Sequence, residues 1–443
     1  MCGKGYPSVK DNAMPPISVV LCSYSHGVGN GIAHVDQALV TGFDPSIIDM
    51  RLVIIRTEWP SGKKEMIDGA QHISLHDAYD LLCEQLATAD ILHVNGALDP
   101  VACHAAKAVG TPAIIEVMHQ VEPGGLHEDI DIVVCVSELV RSVQTHPKNK
   151  VIHNGIDTDT FIFKPGRRDP ECVHVIQVSN QSKKQHYELG KVVNELKNPA
   201  VRALMVGSRQ PVAGVASLGV VRDMPRVYHQ ADIHFLIEQV YALGLAFLEG
   251  LACGTLPVVS ADSGLSAILS EAGVGWVVDP AVKGQEIDVL QAAVATVGTP
   301  EFLAMQNRGR ALVEKNFSKT RMISEYQNIY QELAKKPRTA PKKPGVWMHL
   351  ALFVQLYAAK NIEGALPILL PFFRDPRPLE PYFLKHPIGN ICVAFMLTVI
   401  GPAFLNEGYT SLVSDLCKKL RQSRCISPYL DSLEQDILTC RHS

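Results

Sequence analysis

The stretch 231–280, ADIHFLIEQVYALGLAFLEGLACGTLPVVSADSGLSAILSEAGVGWVVDP, carries the residues best placed for chemistry. An apolar, strand-like run ends in a turn that contains Gly244. A short helix follows with one acid, Glu249, bracketed by Phe247-Leu248 and Gly250-Leu251-Ala252. Cys253-Gly254-Thr255 breaks that helix before a second strand, Leu256-Pro257-Val258-Val259-Ser260. Strand, loop, helix, strand is the unit that presents a helix N-terminus to an anionic ligand. The N–H groups of Ala242, Leu243, Gly244 and Leu245 are the expected donors, because the first amides of a helix lack intrahelical acceptors.

Four other groups invite a chemical reading. Gly27, Gly29, Asn30 and Gly31 follow the first strand in a loop with no charged residue, so a ligand could approach the backbone closely. His26 and His34 flank this loop. His119 ends the run Ile115-Glu116-Val117-Met118, and the carboxyl end of a strand is where ligands of parallel sheets gather. Lys183 and Lys184 follow another strand and could neutralise a phosphate. Asp129-Ile130-Asp131 spells a DxD pair, but it immediately precedes the strand Ile132 to Val136 and reads as a chance match; no metal site is expected.

The elements around these residues alternate. Strands are expected at Ile17 to Leu21, Leu52 to Ile55, Asp90 to Val94, Ala113 to Val117 and Ile132 to Val136. Helices are expected at Ile32 to Leu39, Asp77 to Ala89 and Pro100 to Val109, with Ser137 capping another. The pattern breaks over residues 155–170. It resumes with strands at Val173 to Val178, Ala203 to Gly207, Ile233 to Ile237, Leu256 to Ser260 and Gly275 to Val278. Continuous apolar strands separated by helices imply parallel sheets covered on both faces. The expected fold is α/β, with two Rossmann-like doubly wound domains facing a cleft. The Pro/Lys run from Lys335 to Pro344 reads as a linker to an all-helical C-terminal extension. The boundaries are 1–160, 161–335 and 336–443.

Composition narrows the classes. The 443 residues are 47% apolar and 19% charged with a formal net charge of −4, which suits a globular chain and gives no basic footprint for nucleic acid. Eleven scattered cysteines without a CxxC pair argue against structural zinc or a disulfide framework. The first residues, MCGKGYPSVKDNAMPP, lack the apolar core of a secretory signal, so a reducing cytoplasm is expected. Residues 388–405 are uncharged over about the length of a bilayer span, but Asn390, Gly401 and Pro402 favour a buried helix.

His153-Asn154-Gly155-Ile156-Asp157, followed by Phe161, resembles the interdomain segment of retaining glycosyltransferases of the GT-B fold, family 4 type. The 231–280 stretch resembles the donor-nucleotide half of the same family. Asn-Gly would allow a positive-φ turn, with Asp157 bonding the turned backbone. The resemblance spans roughly residues 17–335 and implies roles. Glu249 would accept hydrogen bonds from the nucleotide ribose hydroxyls, as a carboxylate can from both. The amides of residues 242–245 would face the diphosphate. His119 would reach the donor sugar from the first domain, and the loop of Gly29, Asn30 and Gly31 would lie beneath the donor phosphate and acceptor. The chain departs from the family at three places. Tyr241 stands where a second glutamate would contact the donor sugar, eight positions before Glu249. Asn180 stands where an arginine would be, with Lys183 or Lys184 left to supply the lysine. Ser266-Ala267-Ile268 replaces the acid that follows a Gly-Gly pair.

The resulting expectation is a hexosyltransferase that moves a sugar from a nucleotide-diphosphate sugar to an unknown acceptor. The acceptor could be a glycan, a lipid or a small molecule. The resemblance implies retention of configuration, without metal or cofactor. His119 and Lys184 are the expected catalytic residues. Asn180, Lys183, Tyr241 and Glu249 join the glycine loop and residues 242–245 as substrate-binding residues. Peripheral membrane contact and homo-oligomerisation through the C-terminal helices are possible partnerships. The alternative is a catalytically degenerate GT-B protein that acts as a binding or scaffolding subunit, motivated by Tyr241, Asn180 and Ile268.

Overall fold

The computed structural model describes residues 15–341, except 28, 29, 57, 96–99, 122, 123, 125–128, 180–182, 208–211 and 238–240, together with Ser414 and Lys418. The chain divides into two compact units, 1–342 and 343–443. The expected helical extension, its linker beyond residue 341 and the apolar run 388–405 lie outside the described residues, apart from Ser414 and Lys418, which are helical. Among the described residues no helix is long and apolar enough to cross a membrane.

The first unit holds two sheets. The first is built from β1 (Ile17–Ser23), α1 (Gly31–Gly42), β2 (Ile48–Arg56), β3 (Lys64–Ile67), β4 (Ala70–Ser74), α2 (Leu75–Leu86), β5 (Ile91–Asn95), α3 (Pro100–Val109), β6 (Ala113–Met118), β7 (Ile132–Cys135), α4 (Glu138–Ser142) and β8 (Asn149–Val151). The strands run in the order β3-β4-β2-β1-β5-β6-β7-β8. The second is built from β9 (Val173–Val178), α5 (Lys183–Leu196), β10 (Val201–Val206), β11 (Val215–Gly219), α6 (Met224–Tyr228), β12 (Ile233–Leu236), α7 (Leu245–Cys253), β13 (Leu256–Ser260), α8 (Ser266–Ala272) and β14 (Trp276–Val278). Its order is β11-β10-β9-β12-β13-β14, parallel throughout. The helices α9 (Gln285–Thr296), α10 (Pro300–Asn316) and α11 (Lys319–Leu333) follow.

Burial explains why the strands read as continuous apolar runs. Every residue of β5, β6, β12 and β13 is buried, so no polar alternation is needed. The expected cap on α4 is present, with Ser137 Oγ accepting from Val140 N at 3.2 Å. One departure sits at the edge of the first sheet. β3 and β4 form an antiparallel hairpin on Asp68 and Gly69, both left-handed at φ 51° and 79°. This is the two-residue Asp-Gly turn that hairpins favour.

The chain passes between the two halves twice, and the passages run side by side. Ile156 N donates to Phe317 O at 2.6 Å, and Lys319 N donates to Ile156 O at 2.9 Å. Gly155 corrects the expected positive-φ turn: its φ is not positive. It is glycine because a Cβ there would lie 2.6 Å from Lys319 Cα and 2.8 Å from Ser318 O. Asp157 does bond the turned backbone, with Oδ1 accepting from Asp159 N and Thr160 N at 3.1 Å each. Arg310 fastens the crossing to the end of α7 by donating to Phe161 O at 2.7 Å, Ala252 O at 3.1 Å and Thr158 O at 3.2 Å.

After the second passage α11 lies against α1. Phe43 and Tyr330 approach to 5.7 Å between ring centroids, and Tyr326 and Tyr330 are fully buried. The Pro/Lys run beyond it begins as a fastened strap rather than a free linker. Arg338 donates to Gly110 O, Ala89 O and Leu86 O at 3.1, 2.9 and 3.0 Å, and Lys336 pairs with Asp131.

Candidate active site

The loops at the carboxyl ends of the two sheets meet at two helix N-termini. α7 starts after Gly244, which is left-handed at φ 80° and offers no capping side chain. Phe247 N and Leu248 N bond back to Gly244 O, and Gly244 has no side chain with which to cap the amides of Leu245 and Ala246. Such an end attracts negative charge. The preceding turn is clamped from below. Gly264 N donates to Tyr241 O at 2.8 Å, and a Cβ on Gly264 would fall 1.9 Å from Ala242 O and 2.9 Å from Ser137 Oγ of the first half. Across from it, α1 starts at Gly31, whose Cβ position is 3.1 Å from Leu245 Cδ1. The starts of α1 and α7 therefore touch. Gly27 is left-handed at φ 86° with open space around it. Asn30 caps α1, with Oδ1 accepting from Ile32 N at 3.0 Å and Ala33 N at 3.4 Å, so its side chain serves the helix.

Glu249 lies on the second turn of α7 and accepts a hydrogen bond from the Tyr228 hydroxyl at 3.1 Å. Burial pushes its carboxyl up to about 7, against the opposing effect of that hydrogen bond. Tyr228 is wholly buried at the end of α6 and holds the acid in place. Beneath the helix start, His234 packs on Phe247 with ring centroids 4.3 Å apart, and its Nε2 accepts from Val178 N at 3.3 Å. Burial takes His234 down to about 3, which leaves it a neutral packing residue. Tyr241 meets Phe247 edge-on at 6.2 Å, so an aromatic ring stands where the family pattern has a carboxylate.

His119 sits just past β6 and is partly exposed. Its Nε2 is 3.2 Å from Asn95 Oδ1 at the end of β5, and burial takes its pKa down to about 4. It is a neutral ring at physiological pH. Behind it Asn95 also meets His93 and Asp36, in a network that joins α1, β5 and α11.

The remaining expectations divide. Gly29 and Asn180 lie outside the described residues. Lys183 and Lys184 open α5 at the carboxyl end of β9, and only their backbone is described. The DxD carboxylates are held by lysines: Asp129 pairs with Lys107 Nζ at 2.7 Å and Asp131 with Lys336, while Asp131 also accepts from Ile114 N at 2.9 Å. His26 approaches Glu58 at 3.7 Å beside Arg56, and His34 is exposed on α1. Sequence reasoning missed Tyr228, His234, Asn95, His93 and Asp36. Each acts through a partner on another element, which periodicity cannot reveal.

Two doubly wound sheets, joined by paired crossings and meeting at helix N-termini, define the GT-B class. Solved structures of that class are similar to this chain. A glycosyltransferase from Rickettsia africae matches with a TM-score of 0.57 at 17% identity, covering 73% of this chain and all of the other. HepE from Anabaena, in complex with UDP and glucose, gives 0.57 at 12% identity, covering 71% of this chain and all of the other. Sucrose-phosphate synthase from Thermosynechococcus elongatus gives 0.56 at 16% identity, covering 72% of this chain and 99% of the other. At such identities the likeness shows the fold. Residues 158–294, from the crossing through β14 into α9, match the family described as Glycosyl transferases group 1. No curated protein matches the chain in sequence.

Proposed function

We propose that the chain is a retaining glycosyltransferase of the family 4 type. It moves a hexose-like unit from a nucleotide-diphosphate sugar to a hydroxyl-bearing acceptor, in the cytoplasm and without a metal. The observation that carries this reading is the start of α7. A helix N-terminus led by the left-handed Gly244 lies one to two turns before a half-buried carboxylate and directly against the glycine-led start of α1. The group 1 match over the same residues supports it.

In this reading the amides of residues 242–245 and the α7 dipole hold the diphosphate, joined by Lys183 and Lys184 near the start of α5. Glu249 accepts the ribose hydroxyls, and His119 reaches the sugar from the first half. Tyr241 and Asn180 replace charged groups of the family pattern and narrow the choice of donor sugar. The acceptor hydroxyl enters on the face from which the diphosphate leaves, and a departing phosphate oxygen takes its proton. The acceptor side is assigned to residues 1–160, the donor side to 161–335, and the role of partner-binding or dimerising extension to 336–443. HepE is described with UDP-glucose bound, which makes uridine the first base to try.

A thermal-shift panel of UDP-, GDP-, ADP-, CMP- and dTDP-linked ligands tests the binding half of this reading, since a ligand of the native state alone raises its stability. One nucleotide series is expected to raise Tm clearly, by roughly the equivalent of 2.7 kcal/mol at a hundredfold excess over Kd. A flat response to all five would contradict it.

A further inference from the structure

The buried network behind His119 contains one carboxyl group, and in its ionised form it fixes the direction of the other bonds. Asp36 on α1 is fully buried, and its Oδ1 takes a hydrogen bond from Asn95 Nδ2. Because an ionised carboxylate only accepts, the amide nitrogen of Asn95 must face Asp36 and its carbonyl oxygen must face away. That oxygen lies 3.1 Å from His93 Nε2 and 3.2 Å from His119 Nε2. A carbonyl oxygen has two lone pairs and no proton, so both rings donate to it from Nε2. His93 Nδ1 then carries a lone pair and accepts from the Tyr330 hydroxyl of α11 at 2.6 Å. His119 Nδ1 is likewise left as an acceptor.

We infer that Asn95 is a positioning residue for His119. Held by Asp36, it fixes the ring as the Nε2–H tautomer, so that His119 offers the lone pair of Nδ1 to a hydroxyl of the bound sugar. The inference rests on the reading of His119 as a donor-sugar contact and deepens it. His119 is an acceptor, not a cation for the diphosphate or a general acid. It selects donors that carry a hydroxyl at the contacted position over deoxy analogues. Among the described residues, the groups that face Asp36 are the Ser23 hydroxyl of β1, Asn95 of β5, and Tyr326 and Tyr330 of α11, and none of these is a cation. Burial takes Asp36 up to about 7 and His119 down to about 4, so pH 8 gives the ionised acid and the neutral ring.

The test is a long-range ¹H–¹⁵N correlation spectrum of the imidazoles in the full ¹⁵N-labelled chain. His119 is assigned by the resonances lost in His119→Gln. The expected wild-type pattern at pH 8 is the neutral Nε2–H tautomer, with the ring still neutral at pH 6. A neutral Nδ1–H pattern at pH 8, or an imidazolium at pH 6, would overturn the inference. Asn95→Leu removes the oxygen that fixes the tautomer and is expected to turn the His119 pattern at pH 8 from Nε2–H alone into a mixture with Nδ1–H. A His119 spectrum unchanged in that variant would also overturn it. Should the variant fail to fold, the wild-type spectrum still decides. Neither spectrum needs a donor, so a negative result here is separate from failure of the transferase reading.

Discussion

Glu249→Ala is expected to weaken nucleotide binding by about 10- to 100-fold at pH 8, the range expected for a hydrogen bond to a charged group worth roughly 1.5–3 kcal/mol. In the proposed reading Glu249 holds the ribose one turn beyond the amides that hold the diphosphate, so losing the acid would remove the ribose contact and leave the phosphate contact in place. The pH dependence gives a sharper signature. Burial raises Glu249 from an ordinary carboxyl to about 7, and only its ionised form offers both oxygens as acceptors to the two ribose hydroxyls. Binding therefore favours the ionised form. It should tighten as pH rises through about 7 and weaken by up to about tenfold per unit below it. Binding near pH 6.5 should release a proton, visible in calorimetry as heats that depend on the buffer. Glu249→Gln keeps one acceptor oxygen and should flatten this profile. The stability of the free protein moves the other way. A carboxyl with a raised folded-state pKa binds more protons folded than unfolded between about 4.5 and 7. Its unfavourable burial is absent below that window, sets in as pH rises through it, and is complete above about 7. Asp36, raised from 3.8 to about 7, has the same sign. An affinity for nucleotide that is equal in wild type and Glu249→Ala at pH 8 would remove Glu249 from the site.

Gly264→Ala is the second large effect. Its Cβ would sit 1.9 Å from a backbone oxygen of Ala242 and 2.9 Å from Ser137 Oγ, and neither can give way freely. The Ala242 carbonyl is part of the turn that starts α7. Ser137 Oγ is engaged in capping α4. Relief of the clash would break the Gly264 N to Tyr241 O bond or push the turn outward. Overpacking of this kind costs about 1–3 kcal/mol, or roughly 1–4 °C in Tm for a chain of this size. The larger expected consequence is functional: the amides of residues 242–245 lose their common aim, and nucleotide affinity falls by at least about tenfold even where the fold survives. A variant with wild-type affinity and Tm would show that the turn has room the geometry denies it.

Much of this architecture was legible because the strands are buried on both faces. Ala113 to Met118 and Leu256 to Ser260 read as unbroken apolar runs for that reason. Glu249 stands out as a single acid among apolar neighbours, Phe247, Leu248 and Leu251. The β3–β4 hairpin leaves only its Asp68-Gly69 dipeptide as a sequence signal, beside the much stronger parallel pattern. Gly155 was assigned to the right place for the wrong physics, since sequence cannot separate a glycine needed for φ from one needed for close approach. The supporting shell was not legible at all. Tyr228 meets Glu249 across 21 residues, Asn95 meets His119 across 24 and Asp36 across 59, and His93 meets Tyr330 across 237. Such pairs are set by tertiary packing, and a single sequence carries no local trace of them. Lys336 and Arg338 read as linker for the same reason, because the Asp131 carboxylate and the backbone carbonyls they bind lie far away in sequence, within the first half.

The central claim is sugar transfer at the start of α7. It is tested most directly by release of nucleoside diphosphate from the donor whose base gives the thermal shift, measured with wild type and with Glu249→Ala across a panel of hydroxyl acceptors. The account predicts turnover by wild type with at least one donor, a product that keeps the anomeric configuration, and a rate reduced by about tenfold or more in the variant at subsaturating donor. Tight nucleotide binding with no turnover of any donor in the panel would contradict it and identify a GT-B binding subunit instead.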